Sequence, residues 1–142
     1  MPKTLLVSLL LLAGQNQPGK DAAKTTRDFE GIWQLVSAMT DGKPTPADVV
    51  SKIHVVIKDG KHSVYFKEGV LAHQIPFKVD TTRTPYETTD ALPDGKLIKG
   101  ITKLDADTLT SCVAKPGKER PTEFSSKPGS GHTLRVFKRA KS

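Results

Sequence analysis

The stretch Ile53–Phe66, "IHVVIKDGKHSVYF", decides how this chain folds. Asp59-Gly60 lies between two β-branched runs. Asp-Gly is the strongest short-range signal for a two-residue type I′ hairpin, because both central residues of that turn take positive φ. A turn there pairs Lys58 with Lys61, Ile57 with His62 and Val55 with Val64. Side chains alternate across a strand, so Ile53, Val55, Ile57, Val64 and Phe66 share one face and Lys58, Lys61, Ser63 and Lys67 the other. The split fixes the register, since a one-residue slip would carry every apolar group into water. The apolar face is the interior.

The next turn, Glu68-Gly69, reads as a second two-residue loop that pairs Lys67 with Val70, Val64 with His73 and His62 with Ile75. The inward set continues as Leu71, His73, Ile75 and Phe77. His62 and His73 become diagonal neighbours inside an otherwise apolar wall, about 7–8 Å apart between backbones. His54 and Tyr65 oppose each other on the outer face.

The same punctuation runs through the rest of the chain. Further β-rich runs are "IWQLVSAMT", "YETTDAL", "KLIKGITKL", "TLTSCVA" and "TLRVFKR", broken by "DGKPTP", "TTRTP", "PDG" and "DAD". Eight candidate strands with mostly tight connections predict an all-β fold, an eight-stranded antiparallel up-and-down barrel, because closure leaves no exposed strand edge. One short helical turn is expected at "PADVVSK", Pro46–Lys52, with proline at its start.

At 142 residues the chain is one domain in size. "MPKTLLVSLLLLAG" places Lys3 before a short apolar run, the pattern of a secretory signal peptide and too short to span a bilayer. The expected division is a signal peptide over 1–14, a flexible leader over 15–28 and the barrel over 29–142, with a secreted or periplasmic location. Losing Lys3 would lower the formal charge from +7 to +6. The basic residues are spread along every segment, apart from the terminal tract "RVFKRAK", and so favour anionic surfaces in general without specifying nucleic acid. Cys112 is alone, which excludes an intrachain disulfide and suits a small buried apolar side chain.

The long loop "KPGKERPTEFSSKPGSGH", Lys115–His132, lacks the glycine spacing and following helix of a phosphate-binding loop. Its basic residues accompany a single aromatic, Phe124, too few for a nucleic-acid finger. It is expected either to close one end of the barrel, folded by an Arg120–Glu123 ion pair, or to form a ligand-contacting rim. No Ser-His-Asp pattern, nucleophile elbow or defensible carboxylate pair is present, so no catalytic residues are assigned and the chain reads as non-enzymatic. Two histidines are too few for a metal site, so no metal or cofactor is expected.

Gly31-Ile32-Trp33 at the first strand resembles the Gly-x-Trp signature of lipocalin-type barrels. The resemblance implies that Trp33 closes the narrow end of the barrel with Arg139 of the last strand lying across its ring. Over "GIWQLVSAMTDGKPTP", "IKGITKLDADTLTSCVAKPGKERPTEFSSKPGSGHTLRVFKR" and the hairpins between, the chain is similar to a lipocalin-like family of small exported domains found in many paralogous copies in Planctomycetes. Thr102 stands where that family has an aromatic, and Ala106 where it more often has glycine. The resemblance implies architecture and brings no catalytic residues.

The expected function is binding of a small apolar or amphipathic molecule in the barrel by a monomer, with His62, His73, Phe66 and Arg120 as ligand-binding residues and Trp33 with Arg139 as the closure. The alternative is a solid-core interaction module that acts on a protein partner of the cell envelope through its surface loops. Neither nucleic acid nor a membrane span is expected.

Overall fold

The computed structural model describes residues 25–140. The expected signal peptide, 1–14, and the first part of the expected leader lie outside the described residues. Thr26–Phe29 forms a 3-10 turn, capped where the Thr25 N–H donates to Asp28 Oδ2 (2.6 Å). Phe29 is fully buried.

Nine strands follow: β1 Gly31–Thr40, β2 Lys43–Pro44, β3 His54–Lys58, β4 Lys61–Phe66, β5 Val70–Asp80, β6 Tyr86–Ala91, β7 Leu97–Asp105, β8 Thr108–Val113 and β9 Thr133–Arg139. Eight of them pair antiparallel in the order β1-β3-β4-β5-β6-β7-β8-β9, and β9 pairs back onto β1. The result is a closed eight-stranded barrel, with the two-residue β2 as an appendage on β1. The helical turn is α1, Ala47–Val50, which starts after Pro46 and sends Val50 into the core.

The β3–β4 hairpin has the register read from its turn, with Lys58 opposite Lys61, Ile57 opposite His62 and Val55 opposite Val64. Asp59 and Gly60 both take positive φ, 52° and 75°, as a type I′ turn requires. The β4–β5 connection differs. Lys67–Gly69 is a three-residue 3-10 turn, so Phe66 rather than Lys67 faces Val70, and Tyr65 faces Leu71. One extra residue, Ala72, then restores the expected pairs Val64–His73 and His62–Ile75. A bulge of this kind flips the side chains beyond it to the opposite face. Leu71, expected inside, is therefore on the outer face with Tyr65 and is exposed.

The barrel is packed at one end and hollow at the other. Phe29, Trp33, Leu35, Val55, Ile57, Phe77, Leu104, Leu109 and Phe137 form the buried cluster. Trp33 is completely buried, and its indole N–H donates to the Phe29 carbonyl (2.9 Å). The Arg139 guanidinium lies over the ring at 4.2 Å. It donates to the Glu30 and Asp28 carbonyls (2.8 and 3.1 Å) and pairs with Asp107 (3.2 Å). Gly31 is required beside this stack: its φ is +139°, and a Cβ there would lie 2.7 Å from Arg139 Nη1.

The 115–132 loop leaves the open end and turns down the outside of the wall. Arg120 donates to the carbonyls of Thr88 and Gly100 and pairs with Glu87 (3.5 Å), all from the outer face. The expected Arg120–Glu123 pair does not form, because Glu123 is taken by Lys127 (3.2 Å). Lys103 sits over the Phe124 ring, and Cys112 Sγ donates to the Ser125 carbonyl (3.3 Å) beneath the loop. Burial pushes the Cys112 thiol above its ordinary pKa. The middle of the loop is thus a strap over β6–β8, and only its two ends reach the mouth.

Candidate functional site

A cavity of about 450 Å³ opens at the end of the barrel opposite Trp33. It lies within the range, on the order of 300–1,000 Å³, that ordinarily holds a small organic ligand. Leu35, Val55, Val64, Phe66, Ile75 and Ile98 supply its apolar wall. They come from β1, β3, β4, β5 and β7, and the period-two alternation of each strand aims them inward. Lys115, Pro116 and Gly131, from the two ends of the strap loop, contribute to the rim.

The floor of the cavity is polar. His62, Asp90 and Arg135 line both this cavity and a second chamber of about 40 Å³ beneath it, so they form the partition between the two. Thr88, Thr102 and Ser111 add hydroxyls to the lower chamber, which is bounded below by Phe29 and Trp33. That chamber is mostly apolar in its lining but carries these polar groups, and it is large enough for a water molecule.

The groups in the partition are incompletely satisfied. His62 Nδ1 lies 3.6 Å from Asp90 Oδ2, beyond ordinary hydrogen-bond length. His62 Nδ1 and Asp90 Oδ1 are both buried without a hydrogen-bond partner. His73 stands edge-on to His62, with ring centroids 6.1 Å apart. Desolvation holds the His73 pKa below its ordinary value, with the His62 and Arg135 charges acting in the same direction and Asp90 opposing. Arg135 points into the barrel and is half-buried, with one face on the cavity. Among the described residues its guanidinium makes no hydrogen bond and no ion pair. Burial lowers its pKa, and Asp90 acts on it only at longer range.

Of the residues expected to bind a ligand, the structure brings three together. His62 and His73 are adjacent on the wall, and Phe66 lines the lip of the cavity while remaining 44% exposed. Solvent also reaches His73 through the mouth, so the two histidines are not a sealed pair. Arg120 does not belong to the set. Its guanidinium is spent on the outer wall, because Glu87 and Thr89, which it contacts, alternate with the inward-facing Thr88 and Asp90. Trp33 and Arg139 close the far end. Among the described residues no group of three or more His, Cys, Asp or Glu side chains could hold a metal ion.

Arg135 and Asp90 are the residues that the sequence reading passed over. Arg135 was legible. Once Arg139 is placed against Trp33, the period of two along "TLRVFKR" sends Phe137, Arg135 and Thr133 inward as well. The terminal basic tract is thereby split, since Lys138 faces out to Thr108 (2.7 Å) while both arginines turn inward. Asp90 carried no such signal, because the irregular "TTRTP" connection leaves the β5–β6 register open. Compared with family models, with curated proteins and with solved structures, the chain matches none.

Proposed function

We propose that this protein is an exported, non-enzymatic, monomeric carrier that holds one small amphipathic molecule inside its barrel. The observation that carries the proposal is the open cavity of about 450 Å³, apolar along most of its wall, with a polar floor and with Thr40, Thr45, Lys115 and Thr133 also in its lining. Such a lining takes an apolar body and orients it through one polar end. Three exposed apolar residues, Phe66, Val70 and Leu71, flank the tip of the β4–β5 hairpin beside the mouth and offer an apolar step on the way in. The cavity weighs against the solid-core alternative, in which a protein partner of the cell envelope would read only the surface loops. The strap loop weighs against it too, since its arginine is committed to the barrel's own wall. Among the described residues no helix is long and apolar enough to cross a membrane.

The test is titration with an uncharged apolar fluorophore such as N-phenyl-1-naphthylamine. One saturable site is expected. Val64→Trp, which fills the cavity from β4, should abolish that site while leaving the far-ultraviolet circular dichroism unchanged. Binding that survives Val64→Trp would place the fluorophore on the outer surface and remove the carrier reading.

A further inference from the structure

We propose that the cargo is a single-chain amphiphile with a carboxylate head, seated head-down so that the carboxylate pairs with Arg135 and the chain runs up the apolar wall to Phe66. The inference rests on the carrier reading and adds the ligand's chemistry and orientation to it.

Arg135 is the starting point. A guanidinium stays charged under all ordinary conditions and presents a planar fork of N–H donors that matches a carboxylate in two parallel hydrogen bonds. A guanidinium drawn even partly out of water is normally paired, because a charge that loses solvation without a partner is unfavourable. Here it is half-buried with one face on the cavity, and among the described residues it has neither a hydrogen-bond acceptor nor an ion-pair partner. Its free face looks into the cavity. A structural role would have supplied an acceptor, as it does for the other two interior-facing or wall-bound arginines. Arg139 has two carbonyls and Asp107, and Arg120 has two carbonyls and Glu87.

A second observation is independent of Arg135. His62 Nδ1 and Asp90 Oδ1 are buried on the same floor without partners. A histidine and an acid in that position can add one donor and one acceptor to a polar head.

The charges on the floor select the kind of anion. Asp90 contributes a negative charge on the same floor, at longer range from Arg135, and His73 is biased toward its neutral form. A dianionic phosphate monoester would meet Asp90 with two negative charges and one guanidinium to offset them. A carboxylate brings one. The apolar wall above supplies the place for the chain.

The experiment compares three twelve-carbon probes on the full chain by calorimetry at pH 7.5: dodecanoate, 1-dodecanol and dodecyl phosphate. Dodecanoate should bind at least tenfold more tightly than 1-dodecanol and more tightly than dodecyl phosphate. In Arg135→Met the preference for dodecanoate over the alcohol should vanish, with alcohol affinity kept or improved. Equal binding of acid and alcohol by the unsubstituted protein would overturn the headgroup assignment and leave the carrier reading intact. Tightest binding of dodecyl phosphate would overturn the carboxylate in favour of another anion. Failure of all three probes, together with failure of the uncharged fluorophore, would remove the carrier reading itself. The comparison on the unsubstituted protein decides the matter even if Arg135→Met does not fold.

Discussion

Among the described residues Ala106 is the one non-glycine, non-aspartate position with positive φ, at 52° in the β7–β8 turn. A Cβ in that left-handed conformation is strained by about 1–2 kcal/mol, partly offset by the greater freedom of glycine in the unfolded chain. Ala106→Gly should therefore stabilise the barrel by up to about 1 kcal/mol, read as a higher urea midpoint with an unchanged slope. Gly31 gives the opposite result. Gly31→Ala forces a methyl against Arg139 and away from its allowed backbone region, and should cost about 1–3 kcal/mol. The Trp33 emission should shift to the red as the guanidinium is displaced from the ring. His73 ties a residue to pH. Its pKa in the folded protein lies below the ordinary 6.5, chiefly through desolvation. The unfolded chain then binds the proton more readily, so this contribution to stability is full above 6.5 and declines as pH falls toward the lowered value. Melting temperatures between pH 7.5 and 5 should fall less steeply for His73→Gln than for the unsubstituted protein.

Among the elements, the strap loop is the piece whose role the chain's own text hid. Its prolines and glycines mark a long connection, but nothing local says which face of the barrel it will cover, because that is settled by Arg120 finding two carbonyls on strands far away in sequence. The strands are different. Asp59-Gly60 carries its register in two residues, and the pairing of β3 with β4 follows without tertiary information. The β4–β5 hairpin shows the limit: Glu68-Gly69 allows either a two- or a three-residue turn, and the bulge at Ala72 that reconciles them is invisible in an alternating pattern. The strap makes a prediction of its own. Arg120→Met should loosen it and expose Cys112, which is fully buried under it. Labelling of the thiol by a disulfide reagent should speed up by about tenfold, equivalent to about 1.4 kcal/mol of easier local opening. An unchanged rate would mean that Cys112 is protected by the sheet alone.

On the scale of the molecule, the barrel divides its labour along its axis. The Trp33 end is filled by aromatic and aliphatic side chains and sealed by Arg139, while the other end keeps an open cavity over a charged floor. Closure at one end fixes the register of all eight strands, and that register delivers Arg135, Asp90 and His62 to a common depth. On the carrier reading the hollow half holds a molecule. Native mass spectrometry of the protein isolated from its own host, followed by extraction and identification of what it retains, tests this most directly. One amphipathic small molecule per barrel, released on unfolding, is the expected result. A mass equal to that of the bare polypeptide, in protein that also refuses the uncharged fluorophore, would contradict it.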